Sequence, residues 1–199
     1  MALGDPYATT PELEARLGSD PSWSHPQLLD AASRRVEQFC HRQFNKTETA
    51  TARTFRPVDD GLTIVDDFHT VTGLVVAVDG DGDGVFETVW TTADYQLEPA
   101  NGVVGGEAGW PFWLLRAVNR SFPWRTRNTV SVTAQWGWLA VPEGVREATL
   151  AVAEDMHSKS PGRVRSEAID GYSTSYVVDD EMLGPFETAG PYRRHEGFA

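Results

Sequence analysis

The sequence predicts an α+β fold: a small helical bundle with a large inserted antiparallel β element and an extended C-terminal arm. Three observations carry this. Helical periodicity runs over residues 8–46 and returns over 142–160; short β-branched and aromatic segments fill 48–138 between Gly, Pro and Asp punctuation; and no period is sustained over 161–199. The chain has 199 residues, 40% apolar and 11% aromatic, enough for a single domain that buries roughly 70% of its unfolded surface.

The first helix is announced by Thr9-Thr-Pro11-Glu12, with a hydroxyl cap, proline in the first turn and an early acid, and Gly18 ends it. Pro26 opens a longer helix in which Leu29, Ala32, Val36, Phe39, Cys40 and Gln43 recur at three-and-four spacing. Candidate strands follow at 50–55, 62–65, 70–79, 86–90, 95–98 and 129–135, each rich in Val, Thr, Ile or aromatics. Pro142 then starts a third helix with Val145, Ala148, Thr149, Val152 and Met156 on one stripe, stopped by Ser160-Pro161-Gly162. Neither longer helix buries its stripe alone, so the second and third are expected to pack on each other, with the β segment emerging from the bundle.

The balance of 29 acidic and 17 basic side chains gives a net charge of -12, which excludes a protein that grips nucleic-acid phosphates over its whole surface. A lone cysteine, Cys40, excludes an intrachain disulfide framework and a cysteine-based zinc site. It lies on the apolar stripe of the second helix and reads as a buried structural thiol. With neither a basic leader nor a long apolar run, neither a cleaved signal nor a membrane anchor is expected.

The sharpest motif is Asp79-Gly-Asp81-Gly-Asp83-Gly84, which places oxygen ligands at the alternate positions of a calcium loop and a glycine at the sixth. The twelfth position, where a bidentate Glu closes the shell, is Trp90, and Glu87 at the ninth supplies a weaker ligand. Asp79, Asp81, Asp83 and Glu87 are therefore the only candidate calcium ligands, and a plain hairpin turn explains the Asp-Gly repeat as well. No other cofactor is expected. The histidines are scattered and read as surface residues; Glu154-x-x-His157 is half of a two-metal motif with no second half. No nucleophile elbow or phosphate-cradling glycine loop occurs, so no catalytic residue is assigned.

Seven tryptophans are many for this length, and five lie between 110 and 138. They either fill a β core poor in aliphatics or make an interface, with Trp110, Trp113 and Trp124 the candidate subunit contacts.

The order of signals resembles the head-to-tail adaptor (connector) proteins of long-tailed bacteriophages. The resemblance rests on Tyr7-Ala-Thr-x-Pro11-Glu-Leu13, on Leu28-Leu-Asp-Ala-Ala-Ser-Arg-Arg-Val-Glu-x-Phe-Cys-x-Arg42-x-Phe44, on Asp94-Tyr95, on Trp136-Gly-Trp-x-x-Val-Pro-x-x-Val-Arg-Glu-Ala148 and on Tyr192-Arg-Arg194. It implies a structural virion protein, not an enzyme, that forms a dodecameric ring beneath the portal, extends the DNA channel without specific DNA binding, and offers a platform to a head-tail stopper or tail terminator. It also implies residence in the head-tail neck, after assembly in the host cytoplasm. On that reading the arm meets the portal through Met182, Leu183, Phe186, Tyr192, Arg193 and Arg194. The alternatives are a calcium-dependent β-rich binding module of a phage tail or cell-surface protein, and a metal-assisted hydrolase.

Overall fold

In the computed structural model, residues 4–18, 24–158, 166–169, 172–175 and 184–194 are described, with backbone alone for 166–169 and 172–175. The element order is α1 (Thr10–Leu17), α2 (His25–Cys40), β1 (Thr51–Phe55), β2 (Leu62–Val78), β3 (Thr88–Trp90), β4 (Tyr95–Glu98), β5 (Val103–Val104), β6 (Glu107–Ala108), β7 (Phe112–Ala117), β8 (Val130–Trp136), α3 (Glu143–Ser158), β9 (Ser166–Ile169) and β10 (Tyr172–Ser175), with a 3-10 helix at Gly184–Tyr192. The mixed α+β class is as the sequence reads. The chain divides into two compact units, one from residues 1–42 and 141–194, the other from residues 43–140.

In the helical unit, α2 packs on α3 and α1 touches both. The cap of α1 is reciprocal: the amide and hydroxyl of Thr9 both donate to Glu12 Oε2 at 2.7 Å. Glu12 and Arg16 then tie α1 to α3, Arg146 donating to Glu12 Oε1 at 2.9 Å and Arg16 to Glu147 and Glu154 at 2.5 and 3.4 Å. Leu13, Leu29, Ala32, Val36, Val145, Ala148, Val152 and Ala153 form the buried seam. These are the apolar stripes of the sequence folded onto one another, where hydrophobic burial outweighs the modest contribution of the partly exposed ion pairs.

The β unit is built on one long strand. Sequence punctuation at Asp66-Asp67 suggests two strands there, yet β2 is continuous over 17 residues, with register shifts between Ile64 and Phe68 and between Phe68 and Val75. Bulges let one strand bend and serve two neighbourhoods. Its first half pairs with β7, its last residues with β3, and β8 runs along its other side; β1 and β4 close the edges. The core holds Val65, Phe68, Val76, Val78, Trp90, Tyr95, Leu115, Phe122, Val130, Val132, Ala134 and Trp136.

Two expectations change. The sequence does not predict strand β7, at 112–117, because Trp110-Pro111-Phe112-Trp113 carries no alternation. The stretch 161–199 is not simply an extended arm: β9 pairs with β10, and residues 184–192 coil into a 3-10 helix against α3. Pro185 supplies the fixed φ of a first helical turn, and short apolar residues behind it give that turn something to bury.

Candidate functional site

The Asp-Gly turn links β2 to β3. Both carboxylate oxygens of the buried Asp79 accept backbone amides, from Gly82 at 2.6 Å and Gly84 at 2.9 Å. Asp81 and Asp83 accept the amides two residues on, at 3.1 and 2.7 Å, the side-chain-to-backbone turn that Asp makes readily. Burial acts to raise the Asp79 pKa, but those amides and the Arg127 charge prevail and hold it below its ordinary value. Asp79, Asp83 and Glu87 bring carboxylate oxygens within 4.8 Å of one another, whereas Asp81 stands outside that group. Two guanidinium groups lie over the turn: Arg125 donates to the Gly80 carbonyl at 3.3 Å and Arg127 to the Gly82 carbonyl. A calcium shell would draw on those carboxylate and carbonyl oxygens. Here several of those oxygens accept backbone amides or guanidinium groups, and Arg125 and Arg127 bring positive charge beside the turn.

The tryptophans separate by place. Trp136 and Trp138 are buried at 2% and 3% exposure, and Trp138 Nε1 donates to Asp67 Oδ2 at 3.0 Å. Trp110 lies 5.0 Å from Trp138 and 6.0 Å from Trp113, ring centre to ring centre. Trp110 and Trp113, both half-buried, therefore belong to an aromatic cluster within the β unit. Trp124 is 67% exposed beside Arg125. Of the three candidate subunit contacts it is the most exposed, and Trp and Arg are the residues that anchor interfaces.

The Trp-Gly-Trp motif also has a local cause. Gly137 has φ +90°, and a Cβ there would stand 1.8 Å from the Asn45 carbonyl oxygen. Its amide donates to the Asp67 carbonyl at 2.6 Å, while Thr47 donates to the Trp136 carbonyl at 2.8 Å. Only glycine permits this backbone approach, which turns the chain so that both indoles point into the core.

The C-terminal segment contributes less free surface than its sequence suggests. Phe186 is 5% exposed and stacks on Phe39 at 4.7 Å. Cys40 lies beneath Ala189, its thiol 3.7 Å from that carbonyl and its pKa raised to about 12 by burial, so it is an inert packing group. Arg193 stacks over the Phe39 ring at 5.1 Å, and the Arg194 amide donates to the Cys40 carbonyl at 2.8 Å. Phe186 is thus spent inside the helical unit rather than held out as an anchor, because α2 presents an aromatic and a thiol that need a cover. Met182 and Leu183 lie outside the described residues, as does His195. Tyr192 is half-buried and packs near Gly144; Arg193 keeps an exposed guanidinium.

Among the histidines, His25 and His157 are buried at 4% exposure each, contrary to the surface reading. His25, at the start of α2, lies 3.4 Å from Glu14 of α1. No helix among the described residues is long and apolar enough to cross a membrane.

No protein-family model and no curated protein matches the chain. Solved structures do. A chain from the neck of a native gene transfer agent particle, computed with twelvefold symmetry, superposes with a TM-score of 0.54 at 16% identity, over 99% of this chain and 95% of that one. A chain from the neck of an empty particle, computed with sixfold symmetry, gives 0.53 at 17% identity over the same shares. The fold is the one these two chains share.

Proposed function

We propose that this protein is a structural component of the neck of a tailed, phage-like particle: a head-to-tail adaptor that assembles as a ring beneath the portal, continues the DNA channel and receives the tail-side completion protein. The observation that carries this is the end-to-end fold correspondence with neck chains, covering 99% of the sequence and 95% of theirs. The symmetric necks in which those chains occur favour a homo-oligomeric ring, with twelve copies as the leading number. The chain's own chemistry agrees. Its buried thiol and internally consumed aspartates suit scaffolding rather than turnover, and a net charge of -12 suits a wall past which DNA slides without sticking. Portal contact is assigned to the C-terminal segment: the exposed Arg193, the half-buried Tyr192 and Arg194, and Met182 and Leu183 earlier in the sequence.

The test is genetic and visual. Removing the gene for this chain should yield DNA-filled heads and free tails that do not join, and supplying the chain in trans should restore joining. Normal tailed particles in its absence would overturn the reading.

A further inference from the structure

Strand register sorts the β unit into two faces. Across β1, β8, β2 and β3, one set of rows runs Phe55–Val130–Val78–Thr88 and Arg53–Val132–Val76–Trp90, and these hold the core. The alternating rows run Thr54–Ser131–Ala77–Val89 and Ala52–Thr133–Val75, and Gln135–Thr70 continues them. Directly paired residues share a face, and side chains along β8 alternate from Ser131 through Thr133 to Gln135, so these nine residues lie on the opposite face, with the bulge between Thr70 and Val75 restoring the phase of β2. Val89 is 60% exposed and Val75 42%; Ala52 and Thr54 are exposed too, Thr70, Ser131, Thr133 and Gln135 are half-buried, and Ala77 is buried. None of the nine is Asp, Glu, Lys or Arg, in a chain that is 23% charged. Nine average positions would carry about two charges, and the solvated face of an antiparallel sheet usually more.

We propose that this neutral sheet face is covered by a second copy of the same chain, and is the centre of the contact between neighbours in the ring. The proposal rests on the ring reading above and assigns its surface. The occupant follows from charge. Two copies bring together two surfaces of -12 each, and like charges facing each other across a contact cost several kcal/mol. Acidic copies therefore approach most closely where carboxylates are absent, whereas a basic partner would be drawn to the acidic surface elsewhere. Interface centres are also the part depleted of charge. Four strands about 4.8 Å apart and about five residues long present on the order of 300 Å2. That is the core of a standard contact of about 800 Å2 per partner, with the remainder supplied by its rim.

A contact of this kind has a salt signature: repulsion around a neutral centre is screened, so self-association strengthens as salt is added. The experiment is sedimentation velocity on the purified full-length chain, as a concentration series at low and high sodium chloride. It compares the unmodified protein with Val75→Glu/Val89→Glu and with Val103→Glu, a control on the separate β5–β6 hairpin. The unmodified chain and the control are expected to form the same large species, more readily in high salt. The double variant should keep the same circular dichroism and melting temperature, since both valines are exposed, yet need at least about tenfold more protein to assemble. Assembly of the double variant like the unmodified chain would overturn the face assignment and leave the ring reading standing. Equal loss in the control would also overturn it, by tracing the effect to total charge. An unmodified chain that stays monomeric throughout would overturn the second copy as occupant, while the particle-joining test decides the ring reading independently.

Discussion

Thr188 and Gly144 hold the C-terminal 3-10 helix against α3. The Thr188 hydroxyl donates to the Gly144 carbonyl at 2.8 Å, and a Cβ on Gly144 would stand 2.4 Å from the Thr188 carbonyl oxygen and 3.0 Å from the Tyr192 ring. Gly144 is helical, so its value is the absent side chain rather than an unusual φ. Gly144→Ala should cost about 1–3 kcal/mol through overpacking, partly offset by up to about 1 kcal/mol of helix propensity. In a chain ending before Gly184 only the propensity gain remains. The substitution should thus lower the melting temperature of the full chain and raise that of the truncated one; the same sign in both would show that the segment does not sit on Gly144.

Phe186 makes the segment a structural part of the helical unit. Phe186→Ala should destabilise that unit by about 3–5 kcal/mol, as for other buried phenylalanines, and expose Cys40 to thiol reagents. Urea denaturation and the rate of Cys40 labelling read both effects. An unchanged stability would restore the picture of an independent arm.

Gly137→Ala should be among the most damaging single changes in the β unit. Positive φ costs an L-residue about 1–2 kcal/mol, and the clash with the Asn45 carbonyl adds about 1–3 kcal/mol. Tryptophan fluorescence should shift to the red as Trp136 and Trp138 gain water, and the denaturation midpoint should fall.

Acid should weaken the β unit through two carboxylates. Asp94 accepts the amide and hydroxyl of Thr91, and Arg120, all at 2.8 Å, and these hold its pKa below the ordinary value; Asp79 is lowered as well. A carboxyl depressed in the folded state stabilises above its unfolded pKa of about 3.9, and that contribution is lost as pH falls through the folded value. Asp79→Asn and Asp94→Asn should each lower the melting temperature at pH 7, and the gap to the unmodified chain should close on acidification. A gap independent of pH would place the effect in packing instead.

Calcium should leave the melting temperature unchanged, because amides and two arginines use the oxygens of the Asp-Gly turn. Asp81→Asn/Asp83→Asn should assemble like the unmodified chain. A calcium-dependent rise in melting temperature, lost in that variant, would make Asp79, Asp83 and Glu87 a true site.

The helices were legible because Pro11, Pro26 and Pro142 mark their starts and apolar stripes mark their buried sides. Strand β4 stood out through Tyr95 and Leu97 between polar neighbours. Strand β7 did not, since consecutive aromatics hide which residues face inward, and β2 read as two pieces because a buried Asp67, partnered by Trp138, resembles a loop residue. The segment 184–194 looked unstructured because Gly and Pro usually stop helices, whereas here they shape a tight 3-10 turn. The Asp-Gly cluster was visible as a turn, but not the arginines that come to it from 45 residues away. The neutral face is not legible in the sequence at all, since it belongs to no single stretch and exists only once four strands are placed in register.

Where the chain enters and leaves the β unit, its two ends are already fastened together: Thr47 bonds Trp136 through both its amide and its hydroxyl, each at 2.8 Å, with Asn45 against Gly137 just outside. A module whose ends meet costs its host little loop-closure entropy, however long it is. Residues 43–140 are therefore portable. A β unit of another size can join the helices at that same doorway, which lets a chain of this design change what it presents without redesigning its helices.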